Sequence, residues 1–477
     1  MPSAATELTA LDRLFAQCVS ALESVLFYPI PLPDSEQGIP FLVLWLLIGG
    51  IFFTLRLGFA NIRLMGHGLR VIAGKYKHEE GEGEISSFQA VATVVSGTVG
   101  VGGNIAGVAI AVSLGGPGAV VWIMLAGILC TANKFAEVIV GHRYRHKDHH
   151  GKFNGGAWYY LTDGLREAGY GNLGKPLAVF FAICCVAGAL GGGNMFQSNQ
   201  AVAIVADTYP AYAQYSWIIA LLMAILIGVV LIGGIRRIAR VTEIMVPAMA
   251  LTYVAGAMVV LFYHIQDIPA AFATMFHEAF TLDAAGGGMI GALIMGLRRA
   301  FFSNEAGVGS APIAHAASRN IHPVREGAVA LIEPIIDSVI ICTLTGLVII
   351  ITGAYLNVDG ISGVALTNQA FASVISWFPH ILTVVVLLFA FSTALTWSYY
   401  AERAWNYLTG ERYVKVYYLL FCTLTLVGGF TQLGPLVTLS DLMLLSMAIP
   451  NLIGLYLMSG MISRQVKDYR TSLKPKT

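Results

Sequence analysis

Residues 96–107 read SGTVGVGGNIAG, and they stand inside an apolar run from Phe88 to Leu114 that is long enough to cross a bilayer. Gly97, Gly100, Gly102, Gly103 and Gly107 are a poor way to continue a helix, since each costs about 1 kcal/mol relative to alanine in a helix interior. The stretch therefore predicts a break. Lipid cannot satisfy a free N–H or C=O, so non-helical backbone at membrane depth must be buried in protein or line a watery cavity. A second stretch, residues 302–312 (FSNEAGVGSAP), has the same character inside another run of spanning length. Two broken helices in corresponding parts of one chain point to a secondary transporter with its site between the breaks.

The composition agrees with that reading. Of 477 residues, 56% are hydrophobic and 12% charged, and the mean hydropathy is +0.72, which describes an all-α polytopic membrane protein. A net charge of +1 gives no basic face for nucleic acid. The six cysteines are scattered without C-x-x-C spacing, so packing is their expected role.

Residues 1–38 carry leucines at helical spacing interrupted by Asp12, Arg13 and Glu23, and read as an interfacial segment. Eleven spans follow, near 41–59, 88–114, 117–141, 176–205, 216–234, 241–264, 287–317, 327–354, 380–404, 414–431 and 435–462. Alternate loops hold the Lys and Arg residues, including Arg63, Arg70 and Lys77, then Arg143 to Lys175, Arg236 to Arg240, Arg319 and Arg325, and Arg403 to Lys415. That asymmetry puts those loops and the tail 463–477 in the cytoplasm and the N-terminus outside a bacterial-type inner (plasma) membrane. Setting aside the first span (39–60) leaves two sets of five, 86–265 and 285–462, each opening with a broken helix. Five is odd, so the second set enters from the opposite side and the halves form an inverted repeat.

The strings TVGVGGNIAGVA, SLGGPGAVVW, NKFAE, GGGNMFQ, FFSNEAGVGSAPIAHAA, EPIIDSVI and FSTALTWSYY lie in order along the chain, and from about residue 40 to 460 it resembles the alanine or glycine:cation symporters, the sodium:alanine symporter family. The resemblance implies a leucine-transporter-type 5+5 fold with one extra N-terminal transmembrane helix. It also implies symport of small neutral amino acids with sodium and no other cofactor. This chain has Gly102 and Gly103 where the family pattern has one glycine before the asparagine, which leaves open which of the two meets the substrate.

A zwitterion needs donors for its carboxylate, and the first N–H groups of a half-helix provide them together with the positive end of the helix dipole. Gly100, Gly102, Gly103 and Asn104 are the candidates. The ammonium needs acceptors, for which Gln197 and Thr98 are candidates beside unwound carbonyls. Phe302 and Trp397 would wall a small side-chain pocket, with Phe301 not separable from Phe302. For sodium, a hard cation that prefers oxygen, the candidates are carbonyls of Ser96 and Val99 with the hydroxyls of Ser392 and Thr393. Lys134 and Glu137 read as a local ion pair, Glu305 as a structural or gating group, and HRYRHKDHHGK (142–152) as a solvated basic loop. Glu333 and Asp337 share one face of their span and motivate proton coupling as the alternative; a channel is the rival from another class.

Overall fold

The computed structural model describes residues 10–31, 38–76, 81–148, 151–231, 234–281, 288–356 and 363–473. Lys77, His149, His150, Lys474, Lys476 and the first nine residues lie outside them.

The chain opens with α1 (Ala10–Leu26), then α2 (Phe41–Arg56) and α3 (Ala60–Ile72), which meet at a 72° bend where Phe59 takes φ 58°. Next come α4 (Ser87–Thr98) and α5 (Val101–Gly115), bent by 53° at the glycine-rich break. A capping box starts α4: Ser86 Oγ accepts from Gln89 N–H at 3.2 Å and Gln89 Oε1 from Ser86 N–H at 3.0 Å. Then follow α6 (Gly118–Arg143), a short helical segment α7 over 157–167, α8 (Gly171–Thr208), α9 (Trp217–Leu231), α10 (Ile235–Tyr263) and α11 (Ile268–Phe280). The second half holds α12 (Gly288–Asn304), α13 (Ala311–His315), α14 (Pro323–Ile351), α15 (Val364–Ala372), α16 (Phe378–Thr409), α17 (Val414–Gly428) and α18 (Leu433–Ser472).

Helix occupies every segment where the sequence predicts a span. Among the described residues, six helices are long and apolar enough to cross a membrane, or eight if each bent pair is one span. Four further helices fall in stretches read as loops: α3, α7, α11 and α15. Each is too short to be seen as a span.

Small residues let the central helices approach closely, as membrane packing favours. A Cβ on Gly118 would lie 2.5 Å from Ala279 N, and one on Gly127 2.6 Å from Ser338 Cβ. The long α16 runs against α4, α8 and α10, while α12 packs on α5 and α6, so both breaks face the centre of the bundle.

Two local readings are corrected. Lys134 pairs with Glu333 of α14 at 3.7 Å, not with Glu137. Glu137 instead accepts from Gly309 N–H and Asn451 Nδ2, both at 3.0 Å, because the bare backbone of the second break needs that acceptor. Among the described residues of 142–152, His142 is buried rather than solvated, and Arg145 Nη1 donates to the carbonyls of Ala316 (2.9 Å) and Ser318 (2.7 Å) just beyond α13.

Candidate functional site

At the first break, Val99 (φ −75°, ψ 90°) and Gly100 (φ −137°, ψ 174°) are extended, and α5 starts with a wide π turn over Val101–Ile105. The N–H groups of Val101, Gly102 and Gly103 head that segment and lie ahead of its ladder. Asn104 splints the break. Its Oδ1 accepts from Gly100 N–H (2.9 Å), and its Nδ2 donates to Asp337 Oδ1 (2.7 Å) and Asp337 O (3.2 Å).

The second break runs from Glu305, at φ 54°, through Gly307 and Gly309, at φ 96° and 91°. A side chain at the left-handed Glu305 is uncommon, and it is held from two sides: Trp397 Nε1–H donates to Oε1 (3.1 Å) and Ser310 Oγ–H to Oε2. Asn304 Oδ1 accepts from Ala306 N–H (2.9 Å), and Asn451 Nδ2 donates to Gly307 O (2.8 Å).

Between the breaks is a narrow, nearly closed cavity of about 10 Å³, lined by Gly97, Thr98, Gly100, Gly103, Gly192, Gln197, Phe302, Glu305, Thr393, Trp397 and Leu444. It brings together Thr98, Gly100, Gly103, Gln197, Phe302, Thr393 and Trp397 of the sequence candidates. Phe302 is on its wall and Phe301 is not; likewise Gly103 lines it, whereas Gly102 faces the Phe196 ring and Gln197 Nε2, where a Cβ would stand at 3.0 Å. Asn104 lies behind the wall with both ends of its amide engaged. Gln197 donates to Gly192 O (2.9 Å), and its buried Oε1 has no hydrogen-bond partner among the described residues. An unfilled acceptor of that kind is costly unless a ligand meets it.

Behind Gly100, α4 and α16 converge on the Ser96 carbonyl, which accepts from Thr393 Oγ1 (3.0 Å) and Ser392 Oγ (3.4 Å). Ser96 Oγ lies 2.5 Å from Thr396 Oγ1, and Thr396 Oγ1 donates to Thr93 O (3.1 Å). The extended backbone at Val99 takes its carbonyl off the helical ladder beside this group. These are neutral oxygens, the donor set a hard monovalent cation prefers.

Sequence reasoning missed Gly192 and Leu444 as wall residues, and assigned Glu305 no place in the cavity wall. GGGN at 191–194 repeats the glycine-asparagine pattern of the first break and was the available signal. On the N-terminal side of Phe302 in α12, Arg298 Nε bonds Asp441 Oδ2 (2.6 Å), Arg299 bonds the same oxygen, and the Arg299 guanidinium lies 5.1 Å from the Phe302 ring centroid.

Two interrupted helices around a buried polar cavity define a multi-pass membrane transporter of the broken-helix class. The chain belongs to the sodium:alanine symporter family, whose model matches residues 34–477. It is 39% identical over 433 residues to the sodium/alanine symporter AgcS of Methanococcus maripaludis, covering 90% of this chain and 94% of that one. It is 34% identical over 456 residues to the probable sodium/glutamine symporter GlnT of Bacillus subtilis, covering 95% and 92%. Its fold is similar to that of MhsT, solved in complex with L-phenylalanine, with a TM-score of 0.55 at 16% identity, covering 82% of this chain and 100% of that one. The protein is accordingly a transporter and not an enzyme, and the family lends no support to the channel reading.

Proposed function

We propose that the protein carries alanine, and glycine as a second small substrate, into the cell together with sodium by alternating access. The observation that carries this reading is the unpartnered Gln197 Oε1 in a cavity that also meets the head of α5, an acceptor and a donor end set for the ammonium and the carboxylate of one small zwitterion. In this reading the Gly102 and Gly103 N–H groups take the carboxylate, Gly100, Thr98 and Asn104 hold the break that presents them, and Phe302 and Trp397 limit the side chain. Sodium takes the carbonyls of Ser96 and Val99 with the hydroxyls of Ser392 and Thr393. Sodium then pins α4 to α16 in the geometry that binds substrate, so ion and amino acid favour the same state. AgcS is named for sodium and alanine, which supports both assignments.

We further propose eleven crossings: an N-terminal interfacial segment (1–38), an extra helix (39–60), two inverted five-helix repeats (86–265 and 285–462) and a cytoplasmic tail (463–477). The N-terminus is outside, and the membrane is the inner (plasma) membrane. The loop arginines and lysines support this orientation. Uptake of labelled alanine and glycine into proteoliposomes, under a sodium gradient or a proton gradient, tests the function. Sodium is expected to drive accumulation of both; accumulation driven by protons alone would replace sodium as the coupling ion.

A further inference from the structure

Next to the second break lies a charged cluster that the central cavity does not use. α13 ends at His315, whose ring is fully buried, with Nδ1 2.6 Å from Glu326 Oε1 and Nε2 2.6 Å from Glu333 Oε1. Both carboxylates are fully buried as well. An ionised carboxylate only accepts, and a neutral imidazole has one N–H. Two such contacts at once need one proton more than a neutral ring between two carboxylates carries, whether that proton resides on the ring or on an oxygen. With it the trio has one net negative charge, and the buried Lys134, 3.7 Å from Glu333 Oε2, brings the four groups to neutrality. Without it a net negative charge is stranded away from water, a state that costs several kcal/mol.

Ser87 links the cluster to an open cavity. Ser87 Oγ donates to Glu326 Oε2 at 3.0 Å, and Ser87 also lines an open cavity of about 470 Å³ with Ser86, Asn320, Arg319 and Arg325. Among the described residues, His142 of α6 and Arg145 beyond it act on the His315–Glu326 pair, Tyr400 of α16 on Glu333, and Glu137 of α6, Glu305 in the break and Asp337 of α14 on Lys134. His67 of α3 reaches Tyr469 of α18, which receives Arg325 Nε at 3.2 Å, and so stands one residue away.

We propose that His315, Glu326 and Glu333 form a proton-binding site, reached from the cytoplasmic cavity through Ser87, and that the bound proton latches α13 to α14 at the cytoplasmic end of the second break. The side on which the proton is sensed rests on the orientation proposed above; the site itself does not. Proton binding favours the folded, latched state, so the stabilisation is present at lower pH and is lost as pH rises.

Two measurements on the full-length protein test this. The melting temperature in detergent is expected to be lower at alkaline than at neutral pH, with Glu326→Gln moving that fall to lower pH and His315→Gln removing it. A wild-type melting temperature flat from neutral to alkaline pH, or a fall left unmoved by Glu326→Gln, would overturn the proton site; if His315→Gln does not fold, Glu326→Gln alone decides. In proteoliposomes with pH set separately on each side, sodium-driven alanine uptake is expected to drop about fivefold or more when only the Ser87 side is made alkaline. A drop that follows the other side overturns the orientation, and absence of sodium-driven uptake at neutral pH overturns the proposed function; the melting data decide the proton site in either case.

Discussion

Replacing Gly100 with alanine probes the contact between α4 and α16 at the proposed sodium site. Gly100 has extended backbone (φ −137°, ψ 174°) that any residue adopts, so alanine brings no backbone strain. Its Cβ would instead stand 2.5 Å from Thr393 Oγ1 and 3.5 Å from Thr393 Cβ and Cγ2, against an ordinary contact of at least 3.4 Å. Thr393 cannot step aside freely: it is β-branched within a helix, and its hydroxyl is bonded to Ser96 O at 3.0 Å. Overpacking of this kind costs about 1–3 kcal/mol. If the cost falls on the sodium-bound state, the half-saturating sodium concentration for alanine uptake rises about 5- to 150-fold. Thr393→Ala removes the atom that collides, so the double variant should match Thr393→Ala alone and the two effects should not add. Gly66→Ala is the control, because a Cβ there meets nothing within 4 Å. The assay is initial uptake in proteoliposomes against sodium concentration at saturating alanine. A wild-type half-saturation in Gly100→Ala, or additive effects in the double variant, would refute the reasoning.

Gln197→Leu removes the free acceptor in the cavity, and a hydrogen bond to a charged group is worth about 1.5–3 kcal/mol, so alanine affinity should fall about 10- to 150-fold. Equilibrium binding of labelled alanine at saturating sodium measures it, and unchanged affinity removes Gln197 from the site. Phe302→Ala takes away one wall of the cavity, so glutamine and leucine should compete with labelled alanine where they fail against the wild type; continued exclusion would move the size limit elsewhere. Asp337→Ala strands the donors of Asn104, Ser303 and Ser338, at about 1–3 kcal/mol for each buried group left unmet, and should lower the melting temperature more than Asp337→Asn, which keeps one oxygen. Equal melting temperatures for the two variants would show that the carboxylate is not the tie.

The sequence was most legible where physics acts over long runs. Apolar stretches and clustered glycines located both breaks, and Gln197, Phe302 and Trp397 line one cavity with Thr98, Gly100 and Gly103. It was least legible where a polar side chain has several reachable partners. Lys134 stands three residues from Glu137 in sequence but pairs across helices with Glu333, since Glu137 is taken by the bare N–H of Gly309. Glu333 and Asp337, one helical turn apart, read as a matched pair, yet Glu333 joins His315 and Lys134 while Asp337 joins Asn104 and Ser303. The short helices α3 and α11 were missed because neither has the length that marks a span.

The doubled glycine before Asn104 has a structural reason. A π turn holds more residues than an α turn, so an extra glycine is accommodated without moving the helix on either side. Val101–Ile105 (VGGNI) is such a turn, and so is Gly191–Met195 (GGGNM) on α8 across the cavity. In each, a glycine faces the cavity, Gly103 in one and Gly192 in the other, and the asparagine turns away to a neighbouring helix. Asn104 reaches Asp337, and Asn194 donates to Phe421 O at 2.8 Å while accepting from Thr425 Oγ1 at 2.7 Å. Glycine keeps space in the cavity, and asparagine anchors the widened turn from behind. Asp337 Oδ1 also accepts from Ser303 Oγ at 2.9 Å, just before the second break, so one carboxylate oxygen holds both breaks. A shift at either break therefore strains a bond shared with the other, so the two breaks are tied together through α14.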